Sequence, residues 1–419
     1  MTFTEPPADG YPVLSVPADG IPPVVDTPEA LAAAFDALRQ GTGPLAVDTE
    51  RAQGYRYSAK AYLVQVRREG AGTHLIDPTA FEDGAPRADF SAHAAELADV
   101  EWVLHAASQD LPCLAEIRFL PVRLFDTELA ARLLGLAKVS LGALMEQALG
   151  LTLLKEHSAA DWSRRPIPEE WLAYAALDVE RLWELREWLI VQLEAAGKLG
   201  WAEEEFAHLA AHAADPARPR KEPWRRTSGL HALHSPAALA VVRELWQARE
   251  ALAASEDRAP GRVVPDRAIT ELAARLESER KPALTRGDLR SVRGFGNRVA
   301  ARYESVWLDA LDRAAALPRS ELPARTSPTD GPPMPRSWER RWPASFARFN
   351  RIRPALVELG EKLEVPVENL VSPDHLRRLL WDSPDEIDAE EIDRRLAESG
   401  ARAWQRELVV PVISRLWSA

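Results

Sequence analysis

Three short stretches of this 419-residue chain set acids where packing alone explains them poorly. Asp48-Thr49-Glu50 closes the apolar run Pro44-Leu45-Ala46-Val47. If that run is a strand, its two carboxylates project from one face together with Ala46. They repel unless something positive joins them, although a solvated strand end or cap also accounts for a lone Asp-x-Glu. Trp102-Val103-Leu104-His105-Ala106 empties into Ser108-Gln109-Asp110-Leu111, where Asp110 alone is also at home as an N-terminal helix residue favoured by the dipole. In the third stretch Tyr174 and Asp178 are four apart and share a helical face with Trp171 and Leu182. An acid on so apolar a stripe is costly to bury unless it is paired or binds a metal. The net charge of −12 argues against a protein that grips nucleic acid through broad electrostatics. It leaves room for a nuclease whose carboxylates gather divalent cations and let the metals meet the phosphate.

The elements that must position these residues follow from pattern and punctuation. Asp26-Thr27-Pro28-Glu29 predicts a capped helix to about Gly41. Strand character recurs at Pro44 to Glu50, AYLVQV (61–66), THLID (73–77), VEWVLHA (100–106) and VRLFD (122–126), with helical patterns after the last two. Residues 25–212 are therefore expected to form an α/β domain with a mixed sheet, preceded by a Pro-rich lead-in over 1–24. From about 128 the pattern is almost wholly helical, including the long segment from Glu169 to about His212. A basic linker (213–226, with PARPRKEPWRR), a near-neutral helical unit (227–312), a Pro-rich linker (313–337) and a second helical unit (338–419) follow. Val263-Val264-Pro265-Asp266 and Leu370-Val371-Ser372-Pro373-Asp374 stand at matching places before helices, which suggests an imperfect repeat of a small helical domain.

In this order the three stretches resemble the DEDD superfamily of 3′-to-5′ exonucleases in its tyrosine branch. Asp48, Glu50, Asp110 and Asp178 stand at the four acid positions and Tyr174 at the tyrosine. DTELAARLLG (126–135) and LGALMEQALGLTLLKEHSAADWSRRPIPEEWLAYAALDV (141–179) are similar to the ribonuclease D family. The 227–312 unit, with LRSVRGFGNRVA, resembles the helicase-and-ribonuclease-D C-terminal (HRDC) domain.

The resemblance implies a ribonuclease H-like exonuclease domain followed by two small all-helical HRDC-like domains. It implies a metal-dependent exoribonuclease acting on RNA 3′ ends, tRNA precursors among them, and releasing nucleoside 5′-monophosphates. Two divalent ions, Mg²⁺ or Mn²⁺, are implied as cofactors: Asp48 would bridge both, Glu50 and Asp178 would complete the first, and Asp110 would hold the second through water. Carboxylates suit such hard ions, which about 3.5–4 Å apart can hold the attacking water and stabilise the leaving oxygen. Tyr174, with an ordinary pKa of about 10, would position that water rather than act as a free base.

Lys155, Trp162, Arg164 and Arg165 lie just before the last motif, where a basic and aromatic loop could touch phosphate and stack on a terminal base, or be an ordinary surface loop. Arg225 and Arg226 in the basic linker are further phosphate candidates. Asp126 reads as a helix cap, His105 as a core histidine, His208 and His212 as a surface pair, and Gly294-Phe295-Gly296 as an interhelical turn. The single cysteine, Cys113, excludes internal disulfides and cysteine zinc sites. No apolar run reaches the roughly 18 residues of a membrane span, and the first basic residue is Arg39. A soluble cytoplasmic protein without an obligate protein partner is expected. A DNA 3′-to-5′ exonuclease and a catalytically silent RNA-binding adaptor are the alternatives. Four intact acids speak against the adaptor, which has no reason to keep clustered repulsive charge.

Overall fold

The computed structural model describes residues 10–153, 159–216, 219–279, 281, 283–325 and 331–418. Its strands are β1 (Val13–Leu14), β2 (Val24–Val25), β3 (Thr42–Arg51), β4 (Ala61–Glu69), β5 (Gly72–Ile76), β6 (Glu101–Leu104), β7 (Arg123–Asp126) and β8 (Thr152–Leu153). Six of them form one sheet in the order β2-β5-β4-β3-β6-β7. β3 is antiparallel to β4 on one side and parallel to β6 on the other, so the sheet is mixed, as the strand pattern predicts. β1 and β8 form a separate parallel pair that ties the lead-in to the domain. The helix Pro28–Gln40 starts on Thr27, whose side chain accepts from the Ala30 N–H, and covers the sheet with Leu31, Phe35 and Leu38. The long helical segment resolves into helices Glu169–Glu180, Leu182–Ala195 and Leu199–Ala211.

Residues of the 227–312 unit close on a core of their own. Trp224, from the basic linker, is buried in that core, so the linker is packed at its end. The last helix of the unit continues past the expected boundary to Ala316. Gly294 lets this core close, since a Cβ there would come 2.2 Å from that of Ala268. The unit docks on the loop that leaves β3: Asp257 accepts the N–H groups of Tyr57 and Ser58 at 3.1 and 2.8 Å, and the Arg262 guanidinium covers the Tyr55 ring at 4.0 Å.

The final unit shares its core with the exonuclease domain instead of forming a separate one. Its backbone repeats part of the preceding unit. Short helices Pro260–Val263 and Val367–Leu370 both pass through an extended residue, Val264 (φ −143°) and Val371 (φ −151°), before the next helix. Trp404 stacks on Trp201 with ring centres 5.0 Å apart. Glu205, itself buried, accepts from Arg402 at 2.8 and 2.7 Å and from the Trp404 indole N–H at 3.1 Å. Among the described residues no helix is long and apolar enough to cross a membrane.

Removing Glu205 leaves both donors without their acceptor inside an apolar seam. Glu205→Ala should cost about 3 kcal/mol of stability, read by urea unfolding of the intact chain. An unchanged unfolding midpoint would show that the clasp contributes nothing.

Candidate active site

β3 runs through the middle of the sheet and continues past the C-terminal end of β6 to Arg51. Asp48 and Glu50 therefore stand on one sheet face at a strand end, and helix Glu169–Glu180 crosses that face over β3, β4 and β5. The helix buries Ala175 and Ala176 against Leu63 and Leu75, which turns its neighbouring face, with Tyr174 and Asp178, toward the acids. Ligand oxygens of Asp48, Glu50 and Asp178 lie within 4.8 Å of one another. Asp110 arrives from the far side of β3: it follows the turn after β6, and its carboxylate accepts from Thr49 Oγ1 at 2.6 Å. Asp110 is outside the 4.8 Å group but lines the same cleft of about 470 Å³ with Asp48, Glu50, Tyr174 and Asp178.

Burial and mutual repulsion dominate the electrostatics. Burial raises Asp48 well above the usual carboxylate range, and the charges of Asp110 and Asp178 raise it further. Burial, then Asp48, does the same to Glu50. Burial holds Asp110 up to about 6 and Asp178 up to about 7. Tyr174 is pushed well above its ordinary value by burial and by Asp178, with which it shares a hydrogen bond. Arg51 counteracts only weakly, and among the described residues no Lys or Arg forms an ion pair with these acids. An all-oxygen donor set, crowded and enclosed without its own counter-charge, fits hard divalent cations.

Three supporting residues carry roles the sequence reading did not give them. Thr49, pointing away from Asp48 and Glu50, orients Asp110 and lies 3.2 Å from the buried Cys113 Sγ. Asp126 caps its helix as expected, accepting from Glu128 and Leu129, and also accepts the N–H groups of Ala106 and Ala107 at 3.0 and 2.9 Å. That grip holds Ala106 at φ 58°, a left-handed conformation unfavourable for alanine, and so fixes the turn leading to Asp110. Arg51 lines the cleft directly after Glu50. A strand hydroxyl between two acids and a basic residue beside them were the available signals. His105 also lines the cleft, bonded to Thr127 Oγ1 at 2.9 Å, and burial lowers its pKa to about 4, so it is neutral.

The expected substrate contacts fare differently. Trp162 is fully buried, 5.4 Å from the Trp171 ring and 6.5 Å from that of Tyr174, so it has no face to offer a base and instead backs the tyrosine helix. Arg165, although exposed, is engaged with both oxygens of Asp77 at 2.6 and 2.7 Å and with the carbonyls of Trp162 and Tyr62, which makes it a structural clip. Arg225 binds Glu222 and the Ala324 carbonyl and stacks on Trp224. Arg164 and Arg226 are exposed, and neither lines the carboxylate cleft. Lys155 lies outside the described residues.

A family model described as a 3′-5′ exonuclease matches residues 22–194, and an HRDC domain model matches 238–311. A ribonuclease D of Acidiphilium cryptum is 33% identical over 308 residues, 72% of this chain and 74% of the relative. The chain belongs to the ribonuclease D family. As a member it is a 3′-to-5′ exoribonuclease, with divalent metal use and nucleic acid as substrate. The final unit, read above as HRDC-like, matches a different model, described as a 3′ to 5′ exonuclease C-terminal domain, over residues 331–416. The crystal structure of a protein from Bifidobacterium adolescentis is similar over 98% of this chain and 100% of its own, at TM-score 0.86 and 39% identity. Escherichia coli RNase D shares the fold at TM-score 0.64 and 24% identity, over 94% of this chain and 98% of its own.

The raised acids of this ribonuclease D site fix the direction of its pH dependence. Folded, metal-free protein keeps protons on Asp110 (about 6) and Asp178 (about 7) that the unfolded chain, with carboxyls near 4, has released. Stability from this source is full below about pH 4 and lost as the pH rises to about 7, while a metal must displace the same protons. The stabilisation that Mg²⁺ adds to EDTA-treated protein should therefore be larger at about pH 7.5 than at about pH 5.5, by thermal melting. Equal shifts at the two values would contradict the protonated resting site.

Proposed function

We propose that this ribonuclease D-family enzyme trims RNA 3′ ends, tRNA precursors and other structured RNAs among them, by two-metal-ion hydrolysis that releases nucleoside 5′-monophosphates. The observation that carries the reading is the convergence of Asp48, Glu50 and Asp178 within 4.8 Å, with Asp110 in the same cleft. Bound Mg²⁺ or Mn²⁺ would supply an activated water and charge stabilisation at the phosphodiester. Asp48, Glu50, Asp178 and Asp110, the last steadied by Thr49, would hold the ions. Tyr174, whose hydroxyl donates to Asp178 and is held protonated by burial, would orient the water through its hydroxyl oxygen rather than remove its proton. Arg51, in the cleft without an acid partner among the described residues, stands where it can meet a substrate phosphate. Arg164 and Arg226 are retained as weaker phosphate candidates on their exposure. The single buried cysteine suits work in a reducing cytoplasm.

Asp178→Asn and Asp48→Ala should each reduce degradation of a 3′-extended RNA to background, and retained activity in either would reject this site. Tyr174→Phe should lower turnover roughly 100-fold with metal binding intact. Full turnover would remove the tyrosine from the mechanism. Matched RNA and DNA oligomers labelled at the 5′ end should give a stepwise ladder on RNA that EDTA abolishes. A ladder on DNA of equal strength would overturn the sugar preference, and an unchanged RNA band would point to an adaptor.

A further inference from the structure

Gln65, in the middle of β4, is fully buried, and neither its carboxamide oxygen nor its nitrogen has a hydrogen-bond partner among the described residues. A buried amide left unmade costs about 1–3 kcal/mol, and an apolar residue of the same shape would avoid that cost. The sheet register shows what stands around it. Directly across from Gln65 are Asp48 on β3 and Leu75 on β5. Residues opposed across an antiparallel ladder project from the same face, with Cβ atoms about 4.5–5.5 Å apart, so Gln65 shares the face of Asp48 and Glu50 beneath helix Glu169–Glu180. Of its two cross-strand neighbours only Asp48 can accept a hydrogen bond, and the long Gln side chain reaches further than the separation requires. Next along the same face of β4, Leu63 is apolar and Arg67 is engaged with Asp19 and Thr73.

We propose that Gln65 is a positioning residue for the metal site: its carboxamide, unpartnered in this structure, turns its N–H to the Asp48 carboxylate oxygen nearest it once Asp48 holds cations, and leaves the other oxygen to them. The inference rests on the assignment of Asp48 as a metal ligand. It adds a residue that touches neither metal nor substrate and whose amide has no structural task in the metal-free fold. Partners behind metal ligands fix ligand orientation, and their loss commonly weakens metal binding or activity by about 10–100-fold.

Gln65→Met and Gln65→Leu keep the volume and remove the donor. With EDTA present, both variants should melt at or above the temperature of the parent, since a buried unpaired amide has been removed. Titration calorimetry with Mn²⁺ should show affinity weakened about 10-fold or more, and RNA degradation should need correspondingly more metal with little change in KM for RNA. Parent-like Mn²⁺ affinity in the variants would overturn the proposal. Failure of both variants to fold would overturn it too, because the amide would then have a structural task. Asp178→Asn, run in parallel, separates the two readings: if it degrades RNA normally, the carboxylate site itself is wrong, whatever Gln65 does.

Discussion

The constraint on which the site depends is repulsion among carboxylates held out of water. Four acids from three segments share one cleft, and among the described residues the one Lys or Arg that lines it, Arg51, forms no ion pair with them. A chain can keep such a cluster only by protonating it or filling it with cations. The surrounding fold is arranged to enforce that choice. The central strand fixes two acids, an alanine-rich helix face presses a third against them, and a buried hydroxyl holds the fourth.

Much of this was legible along the chain, and the reasons are geometric. Asp48 and Glu50 declare a shared face through the two-residue period of a strand, and Tyr174 and Asp178 do so through the four-residue period of a helix. Strands and helices of the first domain were readable for the same reason. What depended on pairing between distant segments was not readable. Thr49 reaches Asp110 only because β3 and β6 are adjacent in parallel, and Gln65 stands opposite Asp48 only through the β3–β4 register. Nearness in sequence misled for Trp162 and Arg165. Both precede the last motif closely, yet the first is turned into a cluster of aromatic rings and the second is spent on Asp77. Composition misled for the basic linker, where Trp224 enters a core despite its charged neighbours.

The two helical units brace different parts of the first domain. The HRDC unit, with its own core, grips the loop leaving the strand of Asp48 and Glu50 through Asp257, Arg262 and the Ala259 N–H. Asp257 takes a left-handed φ of 44°, which its short polar side chain tolerates and which aims its carboxylate at two backbone N–H groups of that loop. The final unit secures the helices behind the sheet. Lys198 joins the carbonyls of Leu133 and Glu364 across that boundary at 2.8 and 3.2 Å.

Sharing one core between the first and last units has a consequence for synthesis. Trp201 and Glu205 face solvent until helix Ala403–Arg415 leaves the ribosome, while the HRDC unit between them can close on itself much earlier. The nascent chain therefore carries a finished middle flanked by an unsealed beginning, and the first domain is sealed only when helix Ala403–Arg415 comes back to it.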